Sequence, residues 1–207
     1  MIKVGLSGNR YSGKNRVVNI FKQIGVPVFE ADVILKFILQ HNYELQAEIS
    51  DKLGRVYFKN GLLNEEKVKC DGKFSEILEI VKPDLMSAWN RFLKKNKGAI
   101  YCIFHSSILF ESNLYKEMNQ NISVFAPFSD RVDRCKYLTN KSVSSIYSLV
   151  KTEMDELEKN KLSKYVIHNY NIDNDFYGDA MTQVNQIDQL IIDNYLKENM
   201  TEKVFAL

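Results

Sequence analysis

Short apolar runs alternate along the chain with longer stretches in which apolar residues recur at helical spacing. The first run, residues 2–6, stops at a Ser-Gly pair, and apolar residues then recur three and four positions apart over residues 17–24. This pattern predicts a strand, a loop and a helix. A second short strand is predicted over residues 26–29, because Gly25 would end the helix and Pro27 is tolerated at the first positions of a strand. The chain is therefore expected to open with a β-α-β unit.

The rest of the chain predicts further strands and helices in alternation. Residues 99–104 are continuously apolar and rich in β-formers, as in a strand buried on both faces, and residues 122–126 repeat this character. The predicted elements after residue 30 are a helix over 32–53, a helix over 74–95 bent near Pro83, strands over 99–104 and 122–126, a charged helical stretch over 129–161, a strand over 164–167 and a helix over 176–196. Such alternation predicts a three-layer α/β fold around a mostly parallel sheet.

Composition limits the class of protein. The chain has 207 residues, 45% hydrophobic and 26% charged, so we expect one soluble globular domain with insertions. Its 28 basic and 26 acidic residues leave a net charge of +2, too small a field to attract nucleic acid or an anionic membrane. No apolar run approaches the roughly 18 residues that cross a membrane, which predicts a cytoplasmic protein. Cys70, Cys102 and Cys135 are widely spaced and predict buried or idle thiols.

The most informative segment follows the first predicted strand and matches the phosphate-loop pattern G-x-x-x-x-G-K. It comprises Gly8, Asn9, Arg10, Tyr11, Ser12, Gly13, Lys14 and Asn15. Glycines allow the backbone to wrap round phosphate, N–H groups at the start of the next helix point at the anion, and Lys14 can reach the β and γ phosphates. The competing interpretation is a glycine turn with a surface lysine. The predicted strand and helix on either side favour an ATP site formed by these residues.

One position departs from the phosphate-loop pattern. The residue after the lysine is normally Ser or Thr, whose hydroxyl binds Mg²⁺, and here it is Asn15. An amide oxygen can also ligate Mg²⁺, but the larger side chain would require a shift of the ion or a bridging water. Asn15 is therefore the candidate Mg²⁺ ligand, and weakened catalysis is the alternative.

Together with the residues that follow it, this opening resembles the dephospho-CoA kinase family. After the loop and helix, that family typically has a G-v-P-v-i-D-A-D-x-I segment, and residues 25–34 here read GVPVFEADVI. Further similarities extend over residues 1–170. Residues 60–64 resemble the family's D-G-x-L-[DN] turn, residues 108–111 resemble the end of its P-L-L-F-E motif, and residues 166–169 resemble its V-I-D-N motif. Arg134 matches the first of the family's two lid arginines.

The resemblance implies phosphorylation of the 3′-hydroxyl of dephospho-CoA, a small-molecule substrate, with ATP and Mg²⁺ as cofactors. It also implies a single P-loop NTPase domain over residues 1–207, with a mostly parallel five-stranded sheet, a helical acceptor-binding insertion and a helical lid. The expected boundaries are about 1–35, 97–131 and 163–207 for the core, about 36–96 for the acceptor-binding region and about 132–162 for the lid.

Three residues outside the loop are further site candidates. Asp32 matches the family's acidic residue that orients the acceptor hydroxyl, which must lose a proton as it attacks the γ-phosphoryl group. From position alone, Asp32 would be an acidic residue at a helix start. Arg134 would act beside Lys14 on the transferring phosphate. His105 ends a predicted buried strand where α/β sheets bind ligands, so it is a candidate contact to nucleotide, Mg²⁺ or acceptor.

Departures from the family pattern fall on polar positions. Besides Asn15, they are Glu65, Lys82, His105, Ser107, Leu138 and Glu153. Leu138 replaces the second lid arginine, and loss of an arginine finger can cost factors of about 10³ to 10⁵ in rate. Other cations are close enough in sequence to supply this charge: Arg10, Arg131, Lys136 and Lys141. For Arg131, Arg134 and Lys141, the alternative is that they form the solvated face of an exposed helix.

Three functions remain open at this point. The first is the dephospho-CoA kinase activity that the resemblance implies. The second is a nucleoside or nucleoside monophosphate kinase, since such enzymes share the loop, an acceptor-binding insertion and a lid. The third is a nucleotide-binding protein in which the departures have impaired catalysis.

Overall fold

A computed structural model of the protein describes residues 1–59, 62–64, 67–68, 71–139, 153–170 and 176–204. They form two compact units, one combining Met1–Val28 with the chain from Lys97 onward and the other comprising Phe29–Asn96. In chain order, the elements are β1 (Ile2–Gly8), α1 (Lys14–Gln23), β2 (Val28–Glu30), α2 (Ala31–His41), α3 (Tyr43–Leu53), β3 (Phe58–Lys59), β4 (Leu62–Leu63), α4 (Phe74–Lys95), β5 (Tyr101–His105), β6 (Gln120–Phe125), α5 (Phe128–Leu138), α6 (Glu156–Lys161), β7 (Tyr165–His168) and α7 (Phe176–Val204).

The five-stranded sheet has the strand order β2-β5-β1-β6-β7, and the strands β1, β5, β6 and β7 lie entirely in the first unit. Strand β1 pairs in parallel with β5 and β6, and β6 pairs in parallel with β7. The register places Leu6 beside His105, Gly8 beside Val124 and Phe125 beside His168. The carboxyl ends of these four strands therefore meet at one edge of the sheet. The expected α/β fold with a mostly parallel five-stranded sheet is confirmed.

The core of the first unit follows from the apolar runs that predicted its strands. Every residue of β5 is buried, as expected for a strand covered on both faces. Apolar residues at helical spacing cover the sheet from α1 and α7, where they share one stripe of each helix. The buried members of these stripes are Val17, Val18, Ile20 and Phe21 in α1 and Ala180, Val184, Ile187 and Ile191 in α7.

Among the described residues, the second unit contains helices α2, α3 and α4 and a short hairpin of β3 and β4. Helices α2 and α3 contact α4, and β3 pairs antiparallel with β4. Its core is apolar and is formed by Leu39, Leu45, Ile49, Tyr57, Val68, Ile77 and Val81. Two aromatic contacts join Phe29 to Trp89 and to Phe92, with ring centroids 5.4 and 5.5 Å apart. The predicted helix over 74–95 is confirmed, and it continues through Pro83.

The prediction of one helix over residues 32–53 is wrong, because the chain breaks at Asn42. This residue has an extended backbone, ends α2 and begins α3. Its side-chain oxygen accepts a hydrogen bond from the Leu45 N–H at 3.1 Å, which satisfies one of the first donors of α3. The break allows Leu39 and Leu45 to enter the same core from two helices.

The charged stretch over 129–161 is not one helix either. Helix α5 ends at Leu138 with Thr139 extended, and α6 begins only at Glu156, capped by Asp155. Residues 140–152, which include Lys141, lie outside the described residues, as do Asn60, Gly61, Glu65 and Cys70. Cys102 and Cys135 are buried free thiols, as predicted. In the described part of the chain, no helix combines the length and the apolarity needed to span a membrane.

Candidate functional site

A glycine-bounded loop joins the central strand β1 to helix α1. Gly13 precedes the helix with φ 91°, a left-handed conformation that strains any residue with a Cβ. At Gly8 a Cβ atom would lie 2.5 Å from the Val124 carbonyl oxygen and 2.6 Å from the Ser12 Oγ. Backbone geometry therefore requires both glycines of the motif, and the predicted order of strand, loop and helix is confirmed.

The first half of the loop is held by residues that come much later in the chain. The Asn9 Nδ2 donates to the Met154 carbonyl at 3.2 Å, and the Arg10 N–H donates to the Glu153 Oε1 at 2.9 Å. The Arg10 carbonyl accepts from the Arg131 Nη1 at 3.1 Å. Both backbone polar groups of Arg10 are thus bonded to side chains.

The second half of the loop is held by Arg134 and Asn169. The Arg134 Nη1 donates to the Tyr11 carbonyl at 3.1 Å, and the Asn169 Nδ2 donates to the Ser12 carbonyl at 2.6 Å. Arg134 also donates to the Asn169 side-chain oxygen at 3.0 Å, which joins the two supports. Tyr11 has φ 62°, uncommon for a residue other than glycine, and these bonds hold it there. A hydrogen bond with Cys135 and burial raise the pKa of Tyr11.

A buried ion-pair network surrounds Arg131, which is 2% exposed. Its Nη1 lies 2.9 Å from the Glu153 Oε2, and its Nε lies 2.6 Å from the Glu156 Oε1. Burial raises the pKa of the Glu156 carboxyl, and the charge of Arg131 opposes that shift. The Arg131 guanidinium also lies 5.8 Å from the centre of the Phe128 ring. Arg131 is therefore neutralised inside the protein rather than presented to solvent.

A cavity of about 910 Å³ opens beside the loop and is strongly cationic. Its lining residues are Arg10, Tyr11, Gly13, Lys14, Asn15, Arg16, Asp133, Arg134, Tyr137, Leu138 and Asn169. Four of these residues carry a positive charge and one carries a negative charge. Burial lowers the pKa of the Arg134 guanidinium, but arginine remains protonated in proteins. The balance of charge suits an anionic ligand.

Helix α1 directs its amino end at this cavity. Gly13 forms no side-chain cap, and α1 is the one α-helix of the described chain with no acidic residue in its first turn. The dipole of α1 is therefore not offset by an acidic side chain in its first turn, and it keeps its attraction for an external anion. Lys14 and Asn15, the first two residues of α1, lie on the cavity wall.

The structure brings most of the predicted loop residues and Arg134 to this cavity. Gly8, Asn9 and Ser12 lie behind it as buried parts of the loop. His105 is the last residue of β5 and is 7% exposed, and it is not among the described residues that line the cavity. Asp32 lies in the second unit, in the first turn of α2.

Other predicted cations have different surroundings. Arg10 lines the cavity, whereas Arg131 is enclosed by carboxylates and the Lys136 Nζ lies 3.3 Å from Asp133 on the same helix. Leu138 reaches the cavity wall, at the position where the family pattern has an arginine. Sequence reasoning missed Arg16, Tyr137 and the bracing role of Asn169. Of these, only Asn169 had a signal, because it ends the segment that resembles V-I-D-N.

Comparisons with known proteins agree with this geometry. The family model described as dephospho-CoA kinase matches residues 2–175. A dephospho-CoA kinase from Bacteroides fragilis strain YCH46 is 26% identical over 173 residues, 81% of this chain and 84% of that protein. One from Clostridium perfringens is 24% identical over 203 residues, 92% of this chain and 96% of that protein.

Two solved structures share the fold. The crystal structure of TT1252 from Thermus thermophilus has a TM-score of 0.75 at 22% identity and covers 91% of this chain and 96% of its own. Dephospho-CoA kinase from Campylobacter jejuni has a TM-score of 0.60 at 18% identity, covering 90% and 97%. The resemblance seen in the sequence is confirmed. With more than four-fifths of its length matched by one family model, the chain belongs to the dephospho-CoA kinase family of phosphotransferases.

Proposed function

We propose that the protein transfers the γ-phosphoryl group of ATP to the 3′-hydroxyl of dephospho-CoA. The observation that carries this proposal is the phosphate loop, which ends in Lys14 on the wall of a cationic cavity. The loop lies within the 2–175 segment that matches the dephospho-CoA kinase family. Site and family membership thus support the same reaction class.

The nucleotide would bind with its phosphates against the loop and the amino end of α1. Backbone N–H groups there and the Lys14 ammonium would neutralise the β and γ phosphates. Arg16, Arg134 and Tyr137 line the same cavity and would contact the rest of the nucleotide. Because the loop is held by Arg134 and Asn169, its N–H groups are oriented before the anion arrives.

Asn15 is the residue that would hold Mg²⁺. Its amide offers an oxygen ligand on the cavity wall, which is the chemistry that Mg²⁺ prefers. Among the described residues there is no cluster of three or more acidic, histidine or cysteine side chains that could hold a metal. The other ligands of Mg²⁺ would come from phosphate oxygens and water, and the ion would supply neutralisation of the phosphate charge.

Asp32 is the candidate residue for the acceptor side. A carboxylate can orient the acceptor hydroxyl and accept its proton as the oxygen attacks the γ-phosphoryl group. The side chain is half-buried in the first turn of α2. His105 remains a candidate acceptor contact, and its position at the carboxyl end of β5 supports that role.

A second candidate function is nucleotide binding with impaired transfer. Leu138 lies on the cavity wall with 67% of its surface exposed, so no cation occupies the position of the second lid arginine. A missing arginine at a transferring phosphate can reduce the rate by factors of about 10³ to 10⁵. This candidate predicts ATP binding without turnover.

The test is ADP formation from ATP and Mg²⁺ in the presence of dephospho-CoA or of a panel of nucleosides and nucleoside monophosphates. Of the acceptors tested, we expect only dephospho-CoA to support turnover. In Lys14→Ala the turnover rate should fall by at least about 10²-fold, because a charge at the transferring phosphate is removed. Lys97→Ala is the matched control, because Lys97 is exposed and the substitution removes the same charge from the same unit.

Each result separates the candidates. Turnover with a different acceptor would overturn the assignment of the substrate while leaving a kinase. ATP binding without turnover for any acceptor would favour the second candidate. Equal rates in Lys14→Ala and the wild type would contradict the proposed phosphate site.

A further inference from the structure

Arg10 is the residue of the phosphate loop whose two backbone polar groups are both engaged by side chains. Its N–H donates to the Glu153 Oε1 at 2.9 Å, and its carbonyl accepts from the Arg131 Nη1 at 3.1 Å. The same Arg131 Nη1 donates to the Glu153 Oε2 at 2.9 Å, so the three residues close a ring of hydrogen bonds. The ring spans 121 residues between Arg10 and Arg131.

The side chain of Arg10 continues from this ring into the cavity. Arg10 lines the cavity, and its Nε lies 3.6 Å from the Glu153 Oε1, with 38% of the side chain exposed. One carboxylate therefore holds the Arg10 backbone and restricts its guanidinium.

Burial indicates that the ring acts on geometry more than on stability. The side chains of Arg131 and Glu153 are 3% and 12% exposed. Removing two charges from water offsets most of their mutual attraction, so an ion pair buried this deeply adds little to folding over an apolar pair. A pair that contributes little free energy of folding can still fix the position of the groups that it bonds.

We propose that Arg131 and Glu153 are positioning residues that fix the first half of the phosphate loop at Arg10. By doing so, they direct the Arg10 guanidinium toward the nucleotide. The inference rests on the proposed nucleotide site. It assigns a role to the carboxylate that stands where the family pattern has a glutamine. A glutamine has one acceptor oxygen, so it could not accept from the Arg10 N–H and from Arg131 through separate oxygens.

Three variants separate contact geometry from charge. R131K keeps the positive charge but loses the planar fork that reaches the Arg10 carbonyl and two carboxylates. E153Q loses the charge and keeps one of the two contacts, and E153M loses both. D188N is the matched control, because Asp188 accepts a 2.6 Å hydrogen bond from the buried Tyr101 in the same unit. Tyr101 pairs with Ile2, at the opposite end of β1 from the loop.

The measurement is the dissociation constant for ATP by calorimetry, together with the melting temperature of each variant. We expect E153M and R131K to weaken ATP binding by roughly tenfold or more, E153Q to fall between them and the wild type, and D188N to bind within about twofold of the wild type. Where turnover is measurable, the KM for ATP should rise while the KM for the acceptor stays unchanged.

Two results would overturn the inference. One is wild-type affinity in R131K together with equal loss in E153Q and E153M, since charge alone would then explain the effect. The other is a loss of ATP affinity in D188N in proportion to its fall in melting temperature, with the affinities and melting temperatures of all variants following one relation. If E153M does not fold, the comparison of R131K with E153Q decides.

Calorimetry also separates this inference from the proposed reaction. A wild-type protein that binds ATP and phosphorylates no acceptor would contradict the proposed reaction, while the ranking of the variants would still test the ring. A wild-type protein that does not bind ATP would overturn both.

Discussion

Asn15 shows how one residue can alter a site whose backbone is intact. It is the second residue of α1 and lies on the cavity wall next to Lys14. A threonine hydroxyl is short and would meet Mg²⁺ close to the helix, whereas the amide oxygen of asparagine extends further from the backbone. The Asn15 side chain is exposed, so we expect the change at this position to act on Mg²⁺ binding and not on the fold.

Asn15→Thr is expected to lower the Mg²⁺ concentration for half-maximal activity by roughly tenfold, because a hydroxyl ligand would suit the small octahedral ion better. Asn15→Ala, which offers no ligand, should raise that concentration. The measurement is a Mg²⁺ titration of ADP formation at saturating ATP. Superimposable titrations for the wild type and both variants would exclude Asn15 as a ligand.

At the scale of secondary-structure elements, the first turns of helices α1 and α2 differ in charge. Helix α1 begins without an acidic residue or a side-chain cap, which leaves its amino end for phosphate. Helix α2 begins with Asp32 in its first turn, where a carboxylate also stabilises the helix through the dipole. The second helix start therefore supports two interpretations of Asp32, an acceptor-binding residue and a helix-stabilising one.

Asp32→Asn distinguishes these interpretations. If Asp32 acts on the acceptor hydroxyl, the variant should lose at least about 10²-fold in kcat and bind ATP as the wild type does. The matched control is Glu44→Gln, which neutralises an exposed first-turn acid of α3 in the same unit and should lose only a few tenths of a kcal/mol in stability. If Asp32→Asn turned over at the wild-type rate, only the helix-stabilising interpretation of Asp32 would remain.

At the scale of the whole molecule, the net charge is small, but charged residues are concentrated in particular places. The net charge is +2, yet four cations line one cavity and several charges are buried behind the loop. Besides the Arg131 network, Lys159 is 1% exposed and its Nζ lies 2.6 Å from the Glu111 Oε1. Buried carboxylates connect the stability of the whole fold to pH, since their pKa values differ between the folded and unfolded chain.

Glu156 should make this connection measurable. Because burial raises its pKa, with Arg131 opposing and Glu153 and Asp155 adding to the rise, the folded protein binds more protons than the unfolded chain above the ordinary glutamate value of 4.5. Its contribution to stability is therefore fully present below that value and is lost as the pH rises through the raised pKa.

The expected result is that the wild type gains in free energy of unfolding relative to Glu156→Gln as the pH falls from about 7 to about 4. Chemical denaturation at both pH values measures the difference. Glu158→Gln, at an exposed position of the same helix, should follow the wild type. A difference between wild type and Glu156→Gln that is equal at both pH values would contradict the assignment.

Local patterns predicted much of this fold and failed where a helix had to stop. Apolar runs found the strands of the sheet, because a strand covered on both faces must be apolar throughout. The breaks at Asn42 and after Leu138 had no such signal, since a polar residue inside a helical pattern is equally compatible with a solvated helix face. Burial of Leu39 and Leu45 in one core decided the first break.

The phosphate loop and its place between a strand and a helix follow from the amino-acid sequence alone. Its glycines, its lysine and the apolar periodicity on either side act over a few residues, so their meaning does not depend on distant parts of the chain. The charges that surround that loop, in contrast, depend on how distant parts of the chain fold together. Arg131, Arg134, Glu153 and Asn169 reach it because parallel pairing brings the ends of β1, β6 and β7 to one edge, and contacts across more than 100 residues leave no periodic trace in the sequence.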